Sequence, residues 1–122
     1  MALKGKILVV DDEPIVCERL KPALEKIGFS VETYTESQKA IDRLAEEKFD
    51  IVVTDIKMRG PDGLQILHFV KQQSPATHVV IITGFATVES AREAMKSGAV
   101  DFIAKPFKIR QLRDLILKIV EK

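Results

Sequence analysis

Cysteine is nearly absent: among 122 residues only Cys17 carries a thiol, so the chain cannot form an internal disulfide. No apolar run approaches the roughly 20 residues that a bilayer span requires, and no signal peptide stands at the start, so the sequence reads as cytoplasmic, without a membrane partner. Excess charge is missing too. The 19 Lys and Arg offset 18 Asp and Glu to leave +1, so no overall field draws the chain to nucleic acid, and any strong charge must be local. Histidine is scarce, and neither His68 nor His78 has a second ligand at metal spacing, so both read as surface or packing residues. There is no low-complexity segment and no Pro/Gly/Ser-rich linker. Residues 1–122 therefore read as one domain, whose 46% hydrophobic content suffices for one core.

What the chain has is an alternation. The stretches "KILVV" (6–10), "SVETY" (30–34), "DIVVT" (50–54), "HVVII" (78–82) and "DFIA" (101–104) are short and rich in β-branched or aromatic residues, as strands are. The first, third and fourth are almost continuously apolar, which suits parallel strands covered on both faces, whereas the second alternates and reads as an edge. Between and after them the apolar period is helical: Val16, Leu20, Leu24 and Ile27; Ala40, Ile41, Leu44 and Ala45; Leu112, Leu115, Ile116 and Ile119. Thr35 with Gln38, and Asp62 with Gln65, have capping-box spacing. Gly28 and Gly98 fit helix C-termini, and Pro14 a first helical turn. Pro22 falls inside the first helix, where a kink is expected. Five strand–helix units predict an α/β domain: a doubly wound, five-stranded parallel sheet with helices on both faces, joined by right-handed crossovers.

In such sheets functional groups gather beyond the carboxyl ends of the strands. Asp11, Asp12 and Glu13 stand after the first strand, Asp55 after the third, Thr83 after the fourth and Lys105 after the fifth. Taken singly each is unremarkable: a cap, a turn, a strand terminus. Four polar strand ends on one edge are harder to attribute to chance. Converging carboxylates repel one another and are stable together only with a cation, and hard oxygen ligands favour Mg²⁺. Carboxylates, a hydroxyl and an ammonium suit phosphoryl transfer, in which one carboxylate attacks phosphorus. Asp55, single and followed by the turn-rich "IKMRGPDG", is the candidate nucleophile. The basic cluster Lys105, Lys108, Arg110 and Arg113 reads as a solvated helix start rather than a nucleic-acid surface.

From Lys6 to about Val120 the chain resembles the receiver domain of bacterial two-component response regulators, on the stretches "ILVVDDE", "DIVVTDIKM", "DG", "VVIITGFAT" and "EAMKSGAVDFIAKPF". The stretch "ATVESAREAMKSGAVDFIAKPF" is most similar to receivers of the nitrogen-regulatory type. The resemblance implies a flavodoxin-like strand order 2-1-3-4-5 and a phosphorylation-controlled signalling switch rather than a turnover enzyme. It implies Asp55 as the phosphoacceptor, Mg²⁺ held by Asp11, Asp12, Asp55 and the carbonyl of Lys57, Thr83 and Lys105 on the phosphoryl group, and Phe102 as an aromatic that changes rotamer with Thr83. It also implies a cis Lys105–Pro106 peptide. The partners implied are a sensor histidine kinase, a C-terminal output domain or downstream protein, and a second copy docked through the fourth helix, fifth strand and fifth helix. One departure is visible: "RGPDG" places Arg59 where such receivers often have proline.

Three other readings fit less well. A turnover phosphatase working through aspartyl phosphate needs a general acid beside the nucleophile and a substrate cap, whereas Lys57 stands two residues after Asp55 and no insertion is long enough for a cap. A flavodoxin-like cofactor module needs a phosphate-cradling glycine-rich loop where this chain has "DDEP". A receiver-like domain that binds partners without phosphorylation has no need of the intact residue set.

Overall fold

The computed structural model describes residues 4–121 and turns the alternation into five strands and five helices. In chain order these are β1 (Gly5–Val10), α1 (Pro14–Lys26), β2 (Phe29–Tyr34), α2 (Ser37–Glu46), β3 (Ile51–Thr54), α3 (Gly63–Gln73), β4 (His78–Thr83), α4 (Val88–Lys96), β5 (Asp101–Ala104) and α5 (Ile109–Val120). The strands are all parallel, in the order β2-β1-β3-β4-β5. Strand order reverses between β1 and β3, where a crevice is expected at the carboxyl ends.

Alternation along the strands divides the core. Ile7 and Val9 of β1, with Ile51 and Val53 of β3, face α1 and α5 through Leu20, Leu24, Leu112 and Ile116. Leu8 and Val10, with Val52, face α2, α3 and α4 through Ala40, Leu44, Ile66, Leu67 and Ala94. Most of these side chains are fully buried, and each fully buried aliphatic side chain contributes about 1.5–3 kcal/mol relative to exposure. Two buried faces explain why β1, β3 and β4 read as continuous apolar runs. α4 is the exception among the helices, since Ala94 is its one buried residue.

Local signals mostly hold. Pro14 opens α1, which continues through Pro22, and Gly28 and Gly98 follow α1 and α4 with positive φ of 105° and 108°. Asp62 and Gln65 form the expected reciprocal capping box on α3. Thr35 and Gln38 do not form one. α2 begins at Ser37 with Glu36 at its N-cap and no side-chain cap, so Thr35 lies one residue too early, and Gln38 instead bonds Asp42 one turn on. Ser37 Oγ is engaged elsewhere, donating to the Arg59 carbonyl at 2.8 Å and tying α2 to the loop after β3. Ala45, assigned to the apolar face of α2, is exposed. Asp50 stops short of β3, and its Oδ2 accepts from the Lys6 N–H at 2.7 Å.

Candidate functional site

The sheet ladder continues past the strand ends and seats the site residues. The Asp11 N–H donates to the Tyr34 carbonyl (3.0 Å), the Asp55 N–H to the Val10 carbonyl (3.2 Å) and the Lys105 N–H to the Thr83 carbonyl (2.8 Å). Three positions far apart in sequence are thereby fixed by neighbouring strands. Gly63, at the start of α3, permits a further close approach: its N–H donates to the Ile56 carbonyl at 2.7 Å, and a Cβ there would lie 2.0 Å from the Asp55 carbonyl oxygen. The Lys105–Pro106 peptide is cis.

Carboxylate oxygens of Asp11, Asp12 and Asp55 lie within 4.8 Å of one another. Asp11 and Asp55 are buried and Asp12 is exposed. Lys105 reaches into this cluster, its Nζ standing 2.7 Å from Asp11 Oδ2, 2.7 Å from Glu13 Oε1 and 3.0 Å from Asp55 Oδ2. Burial alone would lower the Lys105 pKa, but bonds to these three carboxylates outweigh it and hold the ammonium well above its usual range. Burial pushes the Asp11 carboxyl up, only partly countered by Lys105 and the Glu13 N–H. Glu13 occupies the N-cap of α1 without capping it, its carboxylate turned to Lys105 instead. The site thus holds four acids and one ammonium, with three of the acids paired to it. Asp11 Oδ2 is buried against the Lys105 ammonium, and Asp55 Oδ1 accepts from the Ile56 N–H at 2.7 Å. An all-oxygen donor set whose negative charge exceeds that of its one paired cation, Lys105, fits Mg²⁺.

Thr83 ends β4 fully buried. Its Oγ1 accepts the Phe85 N–H at 3.0 Å, which leaves its O–H free among the described residues. In register Thr83 pairs with Ala104, two residues beyond Phe102, which pairs with Ile81. Phe102 is half-buried against the core on the α2–α4 side.

The family model for the response regulator receiver domain matches residues 7–117. The chain belongs to this family. This receiver domain is 39% identical over 116 residues to the transcriptional regulatory protein FixJ of Bradyrhizobium diazoefficiens, covering 95% of this chain and 57% of FixJ. It is 34% identical over 113 residues to the response regulator protein PilR of Pseudomonas aeruginosa, covering 93% of this chain and 25% of PilR. The chain thus spans about half of the one relative and a quarter of the other. Among solved structures it is similar to the beryllofluoride-activated NtrC4 receiver domain dimer, with a TM-score of 0.90, 34% identity and coverage of 98% of both chains. It also matches the BeF3-activated DrrB receiver domain with a TM-score of 0.91, 28% identity and full coverage of both. Resemblance to the nitrogen-regulatory type and the strand order 2-1-3-4-5 both hold. The receiver domain is a phosphorylation-controlled switch in two-component signal transduction.

Several features of the site were not legible in the sequence. Thr87 and Ser90 form a capping box at the start of α4, overlooked because serine at that position is outside the Glu/Gln pattern. The Lys57 side chain, exposed, lies over the Phe85 ring with Nζ 4.4 Å from its centroid. No spacing rule predicts that contact, since the two residues belong to separate loops. Among the described residues no helix is long and apolar enough to cross a membrane.

Proposed function

We propose that Asp55 is the phosphoacceptor and that its donor is the phosphoimidazole of a sensor histidine kinase. A carboxylate oxygen of Asp55 forms the new P–O bond as the P–N bond breaks, and the departing imidazole nitrogen keeps the electron pair. Lys105 neutralises the phosphoryl oxygens, and the free Thr83 O–H donates to one of them. Asp11, Asp12, Asp55 and the Lys57 carbonyl would hold Mg²⁺, which when bound supplies the positive charge that four acids and one ammonium lack. The observation that carries this reading is the meeting of Asp11, Asp12 and Asp55 within 4.8 Å with Lys105 among them.

The domain, residues 1–122, then catalyses only its own phosphotransfer and slow dephosphorylation. Its partners are the kinase and an output domain or downstream protein, with a second copy docking through α4, β5 and α5; the regulator names of its relatives and the NtrC4 dimer support this. The cytoplasm, where such kinases present their phosphohistidine, is its compartment. Intact mass after incubation with acetyl phosphate and Mg²⁺ tests the chemistry: one phosphoryl group is expected on the wild type and none on Asp55→Asn. Labelling of Asp55→Asn at the wild-type rate, at no other acid, would falsify the assignment.

A further inference from the structure

Phe85 is an aromatic ring left in water yet held in place. It stands two residues after Thr83 and is 53% exposed. Its N–H donates to Thr83 Oγ1 at 3.0 Å, and its carbonyl accepts from Ser90 Oγ at 2.8 Å and from the Thr87 N–H at 3.0 Å. Lys57 covers the ring, its Nζ 4.4 Å from the centroid and within cation–π range. The contact ties the loop that carries Asp55 to the loop that follows Thr83. Nothing in the acid cluster requires it.

We propose that the Phe85 ring is the resting seat of the Lys57 ammonium, and that a phosphoryl group on Asp55 draws the ammonium off the ring and unties the two loops. The inference rests on Asp55 as phosphoacceptor. An exposed cation–π contact is weak because water competes for the cation. Phosphorylation replaces the single charge of the Asp55 carboxylate with about −1.5 to −2 spread over three phosphoryl acceptor oxygens. Lys105, already shared among Asp11, Glu13 and Asp55, and a bound Mg²⁺ would together bring three positive charges to four acids, so the phosphorylated site stays negative and attracts a further cation. Lys57 is two residues from Asp55 on a flexible stem with three donors, and it has no ion pair to give up among the described residues. Residues 84–89 are all exposed. Once the ring is uncovered, this stretch keeps its bonds to Thr83 and Ser90 and loses its tie to the loop that carries Asp55.

NMR of the intact chain reads the seat directly, because the face of an aromatic ring shields protons above it. In the unphosphorylated protein the Lys57 ε-methylene protons should be shifted upfield, and Phe85→Leu should abolish that shift. Incubation with acetyl phosphate and Mg²⁺ should move the wild-type signal to the Phe85→Leu position, in a sample whose intact mass shows one added phosphoryl group; Asp55→Asn should not move. Absence of the initial upfield shift overturns the seat. A signal that stays put while the mass rises overturns the release and leaves the Asp55 assignment standing. Failure of the mass to rise overturns that assignment, and the release with it.

Discussion

Gly63→Ala is a substitution whose sign separates two arguments. On helix propensity alone, alanine should stabilise the first turn of α3 by about 0.5–1 kcal/mol. The packing argues the reverse. A Cβ at residue 63 would lie 2.0 Å from the Asp55 carbonyl oxygen, 2.8 Å from its carbonyl carbon and 2.8 Å from the Ile56 Cα. Carbon and oxygen rest comfortably at about 3.3 Å, so something must move by about 1.3 Å. All three atoms are backbone, and the Asp55 main chain is held by its bond to Val10. Overpacking of this kind costs about 1–3 kcal/mol, enough to reverse the propensity gain. For a domain between the 100- and 150-residue ranges, a net loss of about 1–2 kcal/mol lowers Tm by roughly 4–10 °C. The larger effect falls on chemistry, because misplacing a reacting group by about 1 Å can cost about 10²-fold. Thermal unfolding followed by circular dichroism gives the first quantity. A time course of intact mass with acetyl phosphate gives the second, with a slowing of at least about tenfold expected. A raised Tm, or a phosphorylation rate within twofold of wild type, refutes the close-approach reasoning.

Calorimetric titration should show Mg²⁺ affinity falling more for Asp12→Ala than for Glu13→Ala, because Glu13 is bound to Lys105; equal losses would sink the distinction. At saturation about 100-fold above Kd the ion should stabilise wild type by about 2.7 kcal/mol. Thr83→Ala should still accept a phosphoryl group but transmit little of it, so amide shifts from Gly84 to Lys108 on phosphorylation should shrink; shifts equal to wild type would remove Thr83 and Phe102 as the link. Arg43 forks onto Glu32 at 2.8 and 2.9 Å and holds its carboxyl below the usual carboxylate range. Unfolded Glu32 therefore takes up a proton at higher pH than folded Glu32, so the pair's contribution is complete above about pH 4.5 and is lost as pH falls through the depressed native value. The Tm difference between wild type and Arg43→Met should shrink between pH 7 and pH 3, and a constant difference would count against the pair.

Asp11, Asp12, Asp55, Thr83 and Lys105 could be placed from sequence because strand termini are legible: an apolar run that stops at a polar residue marks both the end of a buried strand and the edge it points to. Register then brings the residues together without any help from loop detail. Side-chain destinations were less legible. Glu13 was visible only as one of three acids after the first strand, and its pairing with a lysine 92 residues away was not. Thr35 matched a capping pattern whose register is one residue off: α2 begins at Ser37, with Glu36 at its N-cap, and the Ser37 hydroxyl goes to the Arg59 carbonyl. The Lys57–Phe85 contact depends on rotamers in two loops, which composition and period do not encode.

α4 has one buried side chain, Ala94, while Val88 is 72% and Met95 46% exposed. A helix of nine residues is too short to persist on its own, so its hydrogen bonds survive by a slender attachment to the sheet. Local opening there sacrifices little apolar contact, and its amides should exchange with solvent at a lower free energy than those of α1 and α5. β3 and β4, which are almost wholly buried, should stay closed during such openings. A signal that begins as charge at the edge of the sheet therefore meets, in α4, the element that changes shape most cheaply, while the core that positions the carboxylates stays rigid.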